Sequence, residues 1–96
     1  MPEATAVARL VMIHGLVQGV GYRASAQAEG VRLGLRGWVR NRRSGAVEAL
    51  VAGPASSVDA FIAWAHRGPS MACVERVEVS AGEMPKNGDF DVFPTL

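Results

Sequence analysis

The stretch Gly15-Leu16-Val17-Gln18-Gly19-Val20-Gly21-Tyr22-Arg23 restricts the fold of this chain more than any other. The apolar run Leu10-Val11-Met12-Ile13 leads into it, and an alanine-rich, helix-forming segment, Ala24 to Leu33, leads out. A strand, a glycine-rich turn and a helix start, in that order, bring successive N–H groups and the positive end of a helix dipole to one point. That point is an anion site. Three glycines in seven positions let the backbone turn tightly and let a ligand approach the main chain. Arg23 falls in the first helical turn, where a cation faces the positive end of the dipole and is mildly destabilising. A bound phosphate reverses that sign, so the arginine points to function rather than folding.

Charge distribution supports the same reading. Net charge is only +1, but residues 1–47 carry seven arginines against two glutamates, net +5. Residues 48–96 carry three basic against seven acidic groups, net −4. The glycine loop lies in the basic half and has no carboxylate near it in sequence, which suits a small anionic substrate or a nucleic-acid backbone. Cys73 is the only cysteine, so an internal disulfide is excluded. The first apolar run is short and preceded by Arg9, which fits neither a leader peptide nor a membrane span. These features predict one cytoplasmic domain over residues 1–96, with residues 1–6 as a loose tail.

Periodicity predicts the elements. Val7 to His14 reads as a strand covered on both faces, because its apolar residues do not alternate. From Tyr22 a helix runs to Leu33, with Ala24, Ala28 and Val31 on one face and Gly34 as its stop. Gly37–Arg42 and Ala46–Ala52 read as a hairpin turning at Arg43-Ser44-Gly45, with Val47, Ala49 and Val51 sharing a face. A second helix is predicted from an N-cap at Ser56 or Ser57 to His66, burying Val58, Phe61, Ile62 and Ala65. Strands at Ala72–Ala81 and Asp89–Phe93 complete the chain. The order βαββαβ, plus a terminal strand, is that of an α+β, ferredoxin-like sandwich: an antiparallel sheet with two helices on one face.

Several motifs are excluded or bland. No Walker loop is present. Gly19-Val20-Gly21-Tyr22-Arg23-Ala24 matches a dinucleotide fingerprint, but the element order is wrong and no acid stands near position 40 for a ribose. His14, His66 and Cys73 lack metal-ligand spacing. Cys73 reads as a small packing residue. Trp38 is off the two central strands, where nucleic-acid-binding relatives of this topology carry their stacking aromatics. The Arg40-Arg42-Arg43 cluster reads as a solvated hairpin. Asn41 is a poor strand former, and its simplest role is local turn bonding.

Two segments together resemble the acylphosphatase family. Gly15-x-Val17-Gln18-Gly19-Val20-x-Tyr22-Arg23 is similar to its first signature. Gly37-Trp38-Val39-Arg40-Asn41-x-x-x-Gly45-x-Val47, followed by Gly53, is similar to its second. Tyr22 stands where phenylalanine is more usual. The resemblance implies a hydrolase of the carboxyl-phosphate anhydride of acyl phosphates, working without metal or cofactor. It implies that Arg23 and the backbone of Gln18, Gly19, Val20, Gly21, Tyr22 and Arg23 hold the phosphate, with Arg23 and Asn41 as the catalytic pair and Asn41 orienting water. Inorganic phosphate or sulfate would then be product-like ligands, and the partners a small-molecule substrate only, with neither nucleic acid nor membrane, in a monomer. The competing readings are a non-catalytic ferredoxin-like module for anions or nucleic acid, and a stand-alone relative of the acylphosphatase-like domain of hydrogenase-maturation carbamoyltransferases.

Overall fold

The computed structural model describes residues 6–96. Its elements are β1 (Ala6–Leu16), α1 (Tyr22–Arg32), β2 (Arg36–Asn41), β3 (Val47–Pro54), α2 (Ala55–Ala65), β4 (Cys73–Ala81) and β5 (Phe90–Val92). The order matches the sequence expectation. The expected tail over residues 1–6 lies outside the described residues up to residue 5, and Ala6 already pairs with Pro54 in the sheet. Strand order is β4-β1-β3-β2-β5. The first four strands are antiparallel neighbours, as expected, whereas β5 lies parallel to β2 and makes the five-stranded sheet mixed.

Alternation along the strands sorts side chains onto two faces. Val11 and Ile13 of β1, Val39 of β2 and Val47, Ala49 and Val51 of β3 pack with Tyr22, Ala26, Val58, Phe61 and Ala65 of the helices. Both helices therefore cover one face. On the other face Ala8, Leu50 and Ala52 cluster with Leu10 and Trp38, and no helix takes part. β3 is buried along both faces from Val47 to Ala52, which places it in the centre.

Two local expectations are corrected. The buried stripe of α1 is Tyr22, Ala26 and Gly30, not Ala24, Ala28 and Val31; Val31 is 62% exposed. The helix is rotated so that the large Tyr22 ring enters the core. Gly30 then faces Phe90, whose ring occupies the space a Cβ would need. Glycine weakens a helix interior by about 1 kcal/mol relative to alanine, and here it lets β5 approach. The second correction is at α2, which starts at Ala55 behind Pro54, with no side-chain cap from either serine. The fixed φ of proline presets that entry. α1 does end at Gly34 as expected. Gly34 (φ +72) donates to the Val31 carbonyl and Leu35 to the Gly30 carbonyl, a Schellman closure.

Candidate active site

The loop between β1 and α1 forms where the first strand runs out. Buried Val17 anchors it. Gly19 (φ +76) and Gly21 (φ +78) sit in the left-handed region that side chains disfavour. No protein atom lies within 4 Å of a Cβ built at either position, so the backbone angle requires these glycines, not crowding from the rest of the chain. Gly21 is the N-cap of α1 and accepts from the Ser25 N–H at 3.1 Å, but no side chain caps the helix. Among the described residues, no carbonyl or side chain accepts the N–H of any residue from Gly19 to Ala24. No acid stands in the first turn either. A row of unpaired donors at the positive end of a dipole is what an anion needs.

Tyr22 locks this row in place. Its ring is buried beside Trp64, 5.3 Å between centroids, and its hydroxyl donates to the Ala65 carbonyl at 2.8 Å. The start of α1 is thereby fastened to the end of α2. Burial pushes the Tyr22 phenol above its usual range, so it stays protonated.

Asn41, the last residue of β2, comes to the same place from the far side of the chain. A hollow of about 300 Å³ is lined by Val17, Gln18, Gly19, Gly21, Tyr22, Arg23, Ala24, Gln27, Asn41 and Val92. Arg23 and Asn41, expected as a pair, do meet there. Neither Arg23 nor the Asn41 side chain has an ion-pair or hydrogen-bond partner among the described residues. Arg23 is the only charged side chain in the lining, and no carboxylate or histidine enters it. Within the loop, the Val20 side chain packs against the core, and its N–H has no acceptor among the described residues. The Gln18 carboxamide turns to the β2–β3 hairpin, where Nε2 donates to the carbonyls of Arg42 (2.7 Å) and Ala46 (2.9 Å). Gln18 thus ties the loop to the hairpin that carries Asn41.

Four lining residues, Val17, Ala24, Gln27 and Val92, were not among the expected site residues. Gln27 stands one helical turn beyond Arg23 on the same face, a spacing that the sequence did display. Its Nε2 donates to the Phe90 carbonyl at 2.7 Å, joining α1 to β5. Val92 arrives through the parallel pairing of β5 with β2, beside Val39, and nothing local marks it.

A larger hollow, about 670 Å³, lies on the helix-free side between Trp38, Leu50 and the loop after β4. Its charged lining is mixed, Arg40 and Lys86 against Glu48, Glu83 and Asp91, which does not favour an anion. Arg40 and Arg42 are not solvated as expected but paired with the buried Glu48. Trp38 stacks on Phe93 at 5.7 Å. Cys73, expected as a small packing residue, is exposed at the start of edge strand β4. Among the described residues no three His, Cys, Asp or Glu side chains cluster closely enough to hold a metal ion. No helix of the described residues is long and apolar enough to cross a membrane.

Comparison with known proteins agrees with this geometry. The acylphosphatase family model matches residues 9–92. An acylphosphatase of Azoarcus sp. is 57% identical over 94 residues, 98% of this chain and 96% of that protein. The solved structure of an acylphosphatase from Coxiella burnetii superposes with a TM-score of 0.87 at 32% identity, covering 92% of this chain and 93% of that one. A full-length HypF, solved in its phosphate- and nucleotide-bound form, contains a similar region: TM-score 0.88, 28% identity, 98% of this chain but 13% of that one. With both signature segments converging on one hollow, the family model matching residues 9–92 and acylphosphatases matching over more than nine-tenths of their length, the chain belongs to the acylphosphatase family, hydrolases that act on acid anhydrides.

Proposed function

We propose that the 300 Å³ hollow hydrolyses acyl phosphates, with the phosphoryl group held by the Gly19–Arg23 amides and the Arg23 guanidinium. The observation that carries this reading is the convergence of unpaired donors of two kinds, backbone N–H and guanidinium, with an unpartnered carboxamide at Asn41.

The chemistry suits so spare a site. An acyl phosphate is a mixed anhydride. When water attacks phosphorus, the P–O bond to the acyl group breaks and its electron pair leaves on a carboxylate, which is stable at neutral pH without protonation. A general acid is therefore unnecessary, and the lining offers none. Phosphoryl transfer depends mainly on position and on neutralising charge at the equatorial oxygens. The planar guanidinium of Arg23 matches two of those oxygens. The loop amides act as an oxyanion hole already in place before reaction. The Asn41 carboxamide both accepts and donates, so it holds one water in line. Gln27 and Val92 add uncharged side chains to the lining, which suits an acyl group that carries no charge of its own.

The test is a hydrolysis assay with a chromophoric acyl phosphate, with carbamoyl phosphate alongside, each with and without chelator. Turnover is expected to be unaffected by chelator and competitively inhibited by inorganic phosphate. An absence of turnover, combined with salt-sensitive binding of nucleic acid, would instead support a non-catalytic module.

A further inference from the structure

Glu48 is the one buried charged residue among the described residues, 5% exposed on the central strand β3. Its carboxylate Oε1 accepts from Arg40 Nε at 2.8 Å and from Arg42 Nη1 at 3.1 Å. Nothing in the proposed chemistry uses it, and it lies on the face of the sheet away from the helices, lining the larger hollow. A buried ion network is a poor stabiliser, because desolvation offsets most of its attraction and an apolar replacement is often as stable. Its position calls for another reason.

The two arginines it holds bracket Asn41. Alternation along β2 sends Arg40 to the helix-free face and Asn41 to the opposite one, where it lines the candidate site. Residue 42 is gripped twice. Its guanidinium is held by Glu48, and its carbonyl accepts from Gln18 of the phosphate loop. The hairpin is closed by Arg42 N–H to the Ala46 carbonyl at 2.8 Å, and Gln18 bonds that same Ala46 carbonyl. The end of β2 is therefore fixed from both faces at the residue that must orient water.

We infer that Glu48, acting through Arg40 and Arg42, is a positioning residue for Asn41. This inference rests on the proposed role of Asn41. Substrate does not touch Glu48. It sets where the Asn41 carboxamide stands relative to the phosphate cradle, and cradle affinity is independent of it.

The experiment is a double-mutant cycle between Glu48→Gln and Asn41→Ala, with kcat and the inhibition constant of inorganic phosphate as readouts. Glu48→Gln is expected to lower kcat about tenfold, the scale of a small misplacement of a catalytic group, with phosphate inhibition unchanged. In the Asn41→Ala background the same substitution is expected to cost nothing further. Glu48→Met, which leaves Arg40 and Arg42 without their carboxylate, is expected to lower the melting temperature as well as the rate, whereas Glu48→Gln keeps an acceptor for them; Arg42→Met, which leaves the Glu48–Arg40 pair intact, is expected to show a smaller loss of rate. Equal rate losses in both backgrounds, weakened phosphate inhibition in step with kcat, or wild-type kcat in the Glu48 variants would overturn the inference while leaving the proposed function standing. Wild-type kcat in Asn41→Ala alone would remove the role of Asn41 and the inference with it.

Discussion

Arg23→Ala is expected to reduce acyl phosphate turnover by about three to five decades, the range for an arginine that stabilises a phosphoryl transition state. The fold should survive. Arg23 is half-buried, has no protein partner among the described residues and stands at the wrong end of a dipole. Removing a cation from that position relieves a strain of about 0.3–1 kcal/mol. Without phosphate, the variant should melt at or slightly above the wild-type temperature. Calorimetry with and without phosphate separates these effects: phosphate should raise the wild-type melting temperature by linkage, and the variant's much less. Arg23→Lys should not restore activity, because a point charge lacks the planar fork that meets two oxygens. Wild-type turnover in Arg23→Ala, or collapse of its fold, would show that the guanidinium has a different task.

Asn41→Ala should cost about two to three decades of kcat, the size measured for one preorganised polar group at a reacting centre. Its signature differs from that of Arg23. Asn41 is assigned to the water, not the phosphate, so inhibition by inorganic phosphate should stay near its wild-type strength while kcat falls. The hairpin should remain closed, since its bonds run through the backbone of Arg42, Ala46 and Leu96 and through the Gln18 side chain, none through the Asn41 carboxamide. A parallel loss of phosphate affinity would move Asn41 from water to phosphate.

The element order and the residues of the candidate site are legible in the sequence for a physical reason: both are written in local signals. Glycine positions, the arginine in the first helical turn and the asparagine near a hairpin are all visible without tertiary information. What the sequence concealed depends on contacts between distant segments. The buried face of α1 is ambiguous in sequence because small residues such as Ala24 and Ala28 pack equally well on either side. Tyr22 and the Gly30–Phe90 approach decide the rotation instead. The parallel pairing of β5, and with it Val92 at the rim, follows from a loop whose path has no periodicity. For Gln18 the sequence marks only a loop backbone able to face a phosphate. Only the folded hairpin shows that its side chain serves Arg42 and Ala46. Glu48 looks like an ordinary strand carboxylate until Arg40 and Arg42 are seen to converge on it.

The most direct test of the central claim is an amide NMR titration of the intact protein with inorganic phosphate. The largest changes are expected at the unpaired N–H groups of Gly19 to Ala24 and at the Arg23 side chain, saturating together, and lost in Arg23→Ala. Changes centred on Arg40 and Lys86 in the opposite hollow, or none at saturating phosphate, would contradict it.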